Sequence, residues 1–349
     1  MTSVVVFLPN WIGDVVMATP AIRALTKLFP EATFTSVCKP YVSATLDGAP
    51  WFRHTVQFDK RGLQQSRFLG ALKQLRKLKP DLAVLFPNSF TPALLARLAG
   101  AKQVVGFARY GRDILLSKRL YCLRDTSGKP RPHPAMSDYN RLAMAVGTPD
   151  PGKQMELFTT LADDGQAEAF WQKQGWTPAT TVIGLNSGGA FGSSKHWPNA
   201  SFAELARMCG QRGWAVAMLC GPSERATALD IVAQSNHPNV RSVAGENLSI
   251  GFTKAMVRKL SGFVTTDSGP RHFAAAFGIP VVTLFGPTHQ EWTTTNFDLE
   301  EAIQKSVPCG PCQLRVCPLD HRCMTTLTPA EVFERLERVL HRQERRRAG

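Results

Sequence analysis

The sequence predicts two doubly wound, Rossmann-like α/β domains, and three observations carry this prediction. Short apolar runs alternate with stretches of helical periodicity from residue 4 to residue 107. Such alternation indicates strands joined by helices around a mostly parallel sheet. The same pattern restarts after residue 155, and a length of 349 residues suits two domains of ordinary size.

The elements of the first domain follow from the spacing of apolar residues. A strand is predicted at 4–8, and helical spacing at 15–28 follows it up to a proline. The other predicted elements are strands at 32–37, 82–86 and 104–107 and helices at 68–78 and 92–99. Segment 123–152 is rich in proline, glycine and charge, so we expect an extended loop there.

The second domain repeats this arrangement. Its predicted strands are 182–185, 215–219, 240–243, 262–265 and 281–285, and its predicted helices are 201–211, 223–233, 250–260 and 269–276. A last helix at 329–342 runs into an arginine-rich tail. We therefore divide the chain into a domain at 1–155, a domain at 156–327 and a C-terminal helix at 328–349.

The charge of the chain favours an anionic partner. Lys and Arg total 41 against 27 Asp and Glu, a formal net charge of +14, which suits a phosphorylated substrate, an acidic membrane surface or a nucleic acid. We expect no nucleic-acid partner, because the sequence has no recognition-helix or aromatic-platform motif. No apolar run reaches the roughly 20 residues of a membrane span and no signal peptide is evident, so we expect a cytoplasmic protein.

Three loops follow predicted strands, at the position where α/β folds bind ligands. The loop at 265–272 leads from a strand into a helix, whose free backbone N–H groups and positive dipole end favour an anion. Ser268 adds a hydroxyl donor, Gly269 permits close approach of a phosphate, and His272 lies in the first helical turn. Alternatively, Asp267 or Ser268 only caps the helix.

The loop at 186–198 contains three glycines and three serines before a single lysine. Ser187 and Gly188 suit a loop that wraps phosphates, and Lys195 supplies a positive charge for a departing diphosphate. A flexible connector is the alternative, and the loop lacks the Walker spacing of a P-loop kinase.

The loop at 10–14 places Asp14 at the start of the first helix. The helix dipole keeps such a carboxylate ionised and able to accept a proton, so Asp14 is a candidate general base. Capping of the helix is the other role that its position allows.

A cluster of cysteines lies at 309–323. Cys309, Cys312, Cys317 and Cys323 have the residue type and spacing of a structural metal site, and a reducing compartment favours metal over disulfides. An iron–sulfur spacing, a disulfide-capable cluster and simple packing are alternatives that the sequence leaves open. None of these roles is required for catalysis.

Together, the Asn-Trp-Ile-Gly-Asp of 10–14, the Lys-His-Trp-Pro of 195–198 and the Thr-Asp-Ser-Gly of 266–269 with His272 resemble the ADP-heptose:lipopolysaccharide heptosyltransferases. This is glycosyltransferase family nine, and the likeness is greatest to its heptosyltransferase II members. It covers essentially the whole chain in order and spacing.

The resemblance implies a GT-B fold, in which the two domains face each other across a cleft, and an inverting transferase with an ADP-L-glycero-D-manno-heptose donor and a lipopolysaccharide inner-core acceptor. The first domain would bind the acceptor, near Asn10, Trp11 and Gly13, and the final helix would pack back on that domain. Asp14 would be the base and Lys195 the diphosphate-binding lysine. The other donor-binding residues would be Ser187, Gly188, Glu224, Asp267, Ser268, Gly269 and His272, with Glu224 near the nucleoside.

No cofactor is expected for this reaction. The predicted partners are the nucleotide-sugar donor and an anionic, lipid-linked saccharide acceptor, with peripheral contact at the cytoplasmic face of the inner membrane. Another nucleotide-sugar enzyme on the same fold, a different sugar transferase or an epimerase, is the alternative function.

Overall fold

The computed structural model describes residues 2–124, 126, 128, 131–189 and 191–348. Ala190, within the predicted glycine-rich loop, lies outside the described residues. The chain forms two compact units, and the change from unit 1 to unit 2 falls between Phe158 and Thr159. Glu291–Thr294 also belongs to unit 1, and the chain from Thr295 onward belongs to unit 2.

Unit 1 contains a parallel sheet whose described strands number six, in the order β3-β2-β1-β4-β5-β6. The strands are β1 (Ser3–Phe7), β2 (Thr33–Cys38), β3 (His54–Gln57), β4 (Leu82–Leu85), β5 (Gln103–Phe107) and β6 (Lys118–Leu120). The helices are α1 (Ile12–Met17), α2 (Thr19–Leu28), α3 (Pro40–Ser43), α4 (Phe68–Leu78), α5 (Phe90–Leu98) and α6 (Ala135–Ala145).

The order of these strands reverses between β1 and β4. In doubly wound sheets ligands bind at this switch point, outside the carboxyl ends of the strands. The loop that follows β1 leads into α1, whose first turn carries Asp14, so Asp14 lies at the switch point of unit 1.

The core of unit 1 explains why the strands were readable from the sequence. Helices cover a parallel sheet, so its strands are buried and become continuous apolar runs. Phe7 of β1 and Leu85 of β4 pack in one buried cluster with Leu75 of α4 and Leu95 of α5.

The extended loop expected at 123–152 is a wrong prediction, because α6 occupies Ala135–Ala145. Pro134 is the N-cap of this helix, so the prolines that suggested a loop precede it instead of interrupting it. Met136, Tyr139 and Leu142 are buried at helical spacing, and α6 packs against α1 and α2. The helix thereby brings Tyr139 to the switch point, where Asp14 lies.

Unit 2 also contains a parallel sheet with six described strands, in the order β12-β11-β10-β7-β8-β9. The strands are β7 (Val182–Asn186), β8 (Ala215–Leu219), β9 (Val240–Ser242), β10 (Gly262–Thr266), β11 (Val281–Phe285) and β12 (Glu300–Gln304). The helices are α7 (Leu161–Lys173), α8 (Asn199–Gln211), α9 (Arg225–Ser235), α10 (Ile250–Lys259), α11 (Gly269–Phe277), α12 (Arg322–Thr325) and α13 (Pro329–Ala348).

The switch point of unit 2 lies between β7 and β10. These strands are neighbours in the sheet, and Asn186 at the end of β7 pairs in register with Thr265 of β10. The two predicted ligand loops, which are far apart in the sequence, therefore start side by side.

The final helix α13 contacts α8, β10, β11 and β12 within unit 2. Arg335 and Arg342 of α13 each lie 3.0 Å from a carboxylate oxygen of Glu301 on β12. Packing of this helix on the first domain stays a prediction. In the described part of the chain, none of the helices combines the length and apolar character needed to cross a bilayer.

We expect Gly184→Ala to destabilise the protein. A methyl group on this β7 residue would lie 2.3 Å from Leu260 Cδ1 and 2.8 Å from the Phe263 ring. Overpacking of this kind costs about 1–3 kcal/mol, measurable by urea unfolding. Gly165→Ala is the matched control, because this exposed site in α7 has open space around it and Ala favours the helix. Equal stability of the two variants would contradict the packing described here.

Candidate active site in the two units

A hydrogen-bonded group of side chains joins the two ligand loops of unit 2. The side-chain amide of Asn186 donates to Thr265 Oγ1 at 3.1 Å and to Ser268 Oγ at 3.2 Å. Thr266 Oγ1 donates to the Gly188 carbonyl at 2.9 Å. The side-by-side start of the loops is therefore fixed by direct bonds between them.

A buried ion pair links the same two loops more strongly. Lys195, at the end of a short 3₁₀ turn, places Nζ 2.5 Å from Asp267 Oδ2 and 3.0 Å from the Asp267 carbonyl oxygen. Thr288 donates to the same Oδ2 at 2.9 Å. Both charged side chains are buried, with 10% and 5% exposure. Lys195 and Asp267, predicted from separate motifs, thus belong to one site.

The carboxyl group of Asp267 is ionised in this setting. Burial alone would raise its pKa, but the charges of Lys195 and Arg271 and the hydrogen bonds from Lys195 and Thr288 outweigh burial and hold the pKa below its usual value. A lysine ammonium has three donors, and Asp267 accepts two of them.

Two further members of this network were not predicted from the sequence. Arg271 donates through Nε to Glu300 Oε1 at 2.5 Å and through an Nη to Oε2 at 3.2 Å, and its other Nη lies 3.4 Å from Asp267 Oδ1. Thr283 Oγ1 donates to Glu300 Oε1 at 2.7 Å, and Thr295 donates to Oε2. Glu300 reaches the site from β12, which lacks the apolar run by which strands were recognised.

At the start of α11, the side chains of Ser268 and Asp267 bond to other groups of the site. Ser268 is the N-cap residue, but it makes no side-chain cap hydrogen bond, and its hydroxyl lies 3.0 Å from Thr265 Oγ1 instead. Asp267 is engaged by Lys195 and Thr288. The capping alternative is therefore not what the structure has for Ser268, and Gly269 begins α11 at the positive end of the helix dipole, where an anion is favoured.

His272, one turn into α11, is a buried neutral side chain. Burial and the nearby Arg271 charge lower its pKa to about 3, against the opposing effects of Asp267 and Glu300. Among the described residues its Nδ1 atom has no hydrogen-bond partner. An unpaired buried polar atom is costly, so a ligand group that bonds to Nδ1 would stabilise the site.

Glu224 lies against the glycine-rich loop. Its Oε2 accepts a hydrogen bond from the Gly221 N–H at 2.7 Å. A Cβ on Gly188 would lie 2.0 Å from Glu224 Oε1, so a larger residue there would displace this carboxylate. The predicted donor residues Ser187, Gly188 and Glu224 are thus gathered beside the ends of β7 and β8.

In unit 1, Asp14 lies in the first turn of α1, whose N-cap residue Trp11 makes no side-chain cap bond. Tyr139 of α6 hydrogen-bonds to the Asp14 side chain. The pKa of Tyr139 is raised well above its ordinary value, mainly by burial and then by the Asp14 charge, so its hydroxyl stays a donor. Sequence reasoning missed Tyr139 because it lies in the segment expected to be a loop.

The residues that precede Asp14 in the 10–14 loop differ in exposure and in hydrogen bonding. Tyr41 donates its hydroxyl to the Asn10 carbonyl, and burial together with the Asp14 charge raises the pKa of Tyr41. Gly13 is buried, whereas Trp11 is 43% exposed. An exposed indole offers a ligand a large apolar face with one polar N–H.

The four clustered cysteines do not support the predicted structural metal. The described residues contain no group of three or more His, Cys, Asp or Glu arranged to hold an ion. Cys309 and Cys312 are exposed, whereas Cys323 is buried and packs at Gly286, and Cys317 Sγ accepts a hydrogen bond from the Leu319 N–H. Burial and the neighbouring Cys317, Cys309 and Cys312 raise the pKa of the Cys323 thiol, so the thiols are neighbours, but the described residues lack the arrangement of a metal site.

Comparison with known proteins decides the family. The profile described as glycosyltransferase family 9 (heptosyltransferase) matches residues 69–322. The chain belongs to glycosyltransferase family 9. It is therefore a glycosyltransferase, as the sequence predicts.

Relatives within family 9 match nearly the whole chain. Lipooligosaccharide heptosyltransferase 2 of Campylobacter jejuni is 25% identical and covers 97% of this chain and 98% of its own length. Lipopolysaccharide heptosyltransferase 2 of Escherichia coli K12 is also 25% identical, with 98% and 99% covered. The predicted likeness to heptosyltransferase II is confirmed.

Solved structures confirm the GT-B fold class. The structure of E. coli ADP-heptose lps heptosyltransferase II has a TM-score of 0.79 at 24% identity and covers 99% of this chain and 100% of its own. A family 9 glycosyltransferase from Veillonella parvula has a TM-score of 0.82 at 20% identity, with 98% and 97% covered.

We expect His272 to make the protein less stable in mild acid. Below pH 6.5 the unfolded chain protonates this histidine and the folded chain, with a pKa of about 3, does not, so stability falls as the pH falls. Between pH 7 and pH 5 the wild type should lose about 2 kcal/mol more than His272→Gln in urea unfolding. His341→Gln, at an exposed site, should behave as the wild type. An unchanged pH dependence in His272→Gln would show that the imidazole is not held neutral.

Proposed function

We propose that this enzyme transfers heptose from ADP-L-glycero-D-manno-heptose to the inner core of lipopolysaccharide, with inversion at the anomeric carbon. The observation that carries the proposal is the Lys195–Asp267 ion pair beside the start of α11, where the Ser268 side chain makes no cap hydrogen bond. A fixed ammonium group and free backbone N–H groups are what a departing diphosphate requires. The names of the family 9 relatives, which specify heptose transfer to lipopolysaccharide or lipooligosaccharide, support the sugar and the acceptor.

Unit 2 is the donor-binding unit in this proposal. The third donor of Lys195, which has no hydrogen-bond partner among the described residues, bonds to the diphosphate, and so do the N–H groups that begin at Gly269. Neutral His272 offers an imidazole nitrogen to the same ligand. Ser187 and Gly188 wrap the phosphates, and Glu224 accepts hydrogen bonds from ribose hydroxyls.

Unit 1 binds the acceptor, with Asn10, Trp11 and Gly13 beside it and Asp14 as the general base. The acceptor hydroxyl gives its proton to Asp14 while its oxygen forms a bond to the anomeric carbon of the donor. The bond from that carbon to the diphosphate breaks at the same time, and ADP leaves with the electron pair. A single displacement of this kind inverts the anomeric configuration, and the step needs no cofactor.

A transfer assay tests the donor and the acceptor. Purified enzyme is given ADP-heptose, ADP-glucose or UDP-N-acetylglucosamine with defined heptose-deficient core oligosaccharides, and products are identified by mass. We expect one heptose to be added, from ADP-heptose only. Transfer of another sugar, or epimerisation of the nucleotide sugar without an acceptor, would contradict the proposal and support the alternative enzyme classes.

Two substitutions test the catalytic roles. Asp14→Asn removes the base and is expected to lower kcat about 10²–10⁴-fold. Lys195→Met removes stabilisation of the leaving group and is expected to lower kcat about 10²–10³-fold. Asp150→Asn and Lys173→Met are matched controls at exposed residues and should keep the wild-type kcat. Near-normal turnover in both test variants would refute the assignment.

We also propose peripheral contact with the anionic face of the inner membrane, on the cytoplasmic side. Segment 60–79 of unit 1 supports this, because it contains seven Lys or Arg and no acidic residue. All seven are exposed, and Leu63 and Leu69 beside them are 74% and 77% exposed. Charge of this density attracts anionic lipid, and exposed leucines suit the interfacial region. The arginines of α13 suit it less, since several are paired with Glu301 and Asp298.

Vesicle sedimentation tests this contact. The wild type should bind vesicles that contain phosphatidylglycerol and dissociate from them in high salt. It should not bind neutral vesicles. Replacing Lys60, Lys73 and Lys77 with Gln should weaken binding about a hundredfold, at roughly 1 kcal/mol per charge. Replacing Lys153, Lys173 and Lys259 with Gln removes as many charges elsewhere and should have little effect. Equal binding by the two triple variants would exclude segment 60–79 as the contact.

A further inference from the structure

We propose that Glu300 is a positioning residue: it holds the Arg271 guanidinium away from Asp267 and so keeps the Asp267 carboxylate with Lys195. This role rests on the proposed function of Lys195 at the donor diphosphate. Neither residue was assigned a role in binding or in proton transfer. Their side chains are among the most buried charged groups of unit 2, with 2% exposure for Arg271 and 8% for Glu300.

The geometry divides the Arg271 guanidinium unequally between two carboxylates. Glu300 takes it in a two-pronged contact of 2.5 and 3.2 Å, whereas the distance to Asp267 Oδ1 is 3.4 Å. A two-pronged pair of this type fixes the plane of the guanidinium. Glu300 therefore holds Arg271 back from Asp267, and the Oδ2 atom of Asp267 stays with Lys195 at 2.5 Å.

Glu300 is itself held from two sides. Thr283 on β11 donates to Oε1, and Thr295 in the segment before β12 donates to Oε2. Burial raises the pKa of Glu300. The charge of Arg271 and the hydrogen bonds from Arg271, Thr295 and Thr283 lower it by a larger amount, so the pKa lies below its usual value. These donors hold the Glu300 carboxylate in one orientation, and its two-pronged contact then fixes the orientation of Arg271.

The charges of the four side chains balance. Lys195 and Arg271 are positive, and Asp267 and Glu300 are negative. Loss of the Glu300 charge leaves an excess positive charge in a buried setting and draws the guanidinium toward Asp267, where it competes with Lys195. The ammonium group then loses its fixed direction, while the added positive charge favours binding of any anion.

Glu300→Gln therefore separates positioning from folding. We expect kcat of heptose transfer to fall about tenfold to a hundredfold, while the Kd for ADP, measured by calorimetry, is unchanged or lower. Removing the excess charge as well, in Arg271→Met/Glu300→Gln, should recover kcat to within about threefold of the wild type, because a buried ion pair is often replaceable by neutral side chains. Glu301→Gln, the same change one residue along β12, is the matched control and should change neither quantity.

Several outcomes overturn the role. Wild-type kcat in Glu300→Gln would do so, as would parallel losses of ADP affinity and kcat that the double variant does not relieve, since those indicate a structural role only. If Glu300→Gln does not fold, Arg271→Lys keeps the charge without the two-pronged contact and should show the same loss of kcat with ADP affinity retained. Wild-type kcat in Arg271→Lys would then overturn it. A wild-type protein that binds no ADP and transfers no heptose would instead refute the proposed function itself.

Discussion

The buried carboxylate of Asp267 is the constraint on which the arrangement of unit 2 depends. An ionised group with 5% side-chain exposure is unfavourable by several kcal/mol unless neighbouring groups replace its lost hydration. Its partners come from three places: Lys195 from the loop after β7, Thr288 from the segment after β11, and Arg271 from the next turn of α11. Satisfying one carboxylate therefore fixes the relative positions of three segments that the backbone alone leaves adjustable.

The sequence could predict the parts of this site that depend on local signals. A strand that ends in polar residues before Ser268 and Gly269 indicates a helix start, and such starts are recognisable without any long-range information. The pairing of Lys195 with Asp267 needs one further fact, that β7 and β10 are neighbours, which the doubly wound order supplies. Glu300 could not be predicted this way, because β12 is an edge strand with polar residues and its partnership with Arg271 crosses β11.

In unit 1 as well, the residue marked by a local signal was predicted and its partner from a distant part of the chain was not. Asp14 was identifiable because it stands in the first turn after a buried strand. Its partner Tyr139 lies more than a hundred residues away in α6, where prolines before the helix obscured the apolar spacing. The cysteines at 309–323 show the opposite error, since spacing along the chain suggested a metal site that the described thiols do not form. Spacing alone does not determine whether side chains are arranged to hold a metal.

The balance of charge around Lys195 determines how strongly this site stabilises the bound donor and the transition state. A lysine whose charge is already offset by Asp267 attracts the diphosphate of a bound donor only moderately. Negative charge on the leaving oxygen grows as the glycosidic bond breaks, and the one remaining donor of Lys195 and the start of α11 then gain most. Because Asp267 holds that donor in place beforehand, little reorganisation is needed when the charge develops. Neutral His272 fits the same logic, since it adds no further positive charge that would tighten binding of the donor before the reaction.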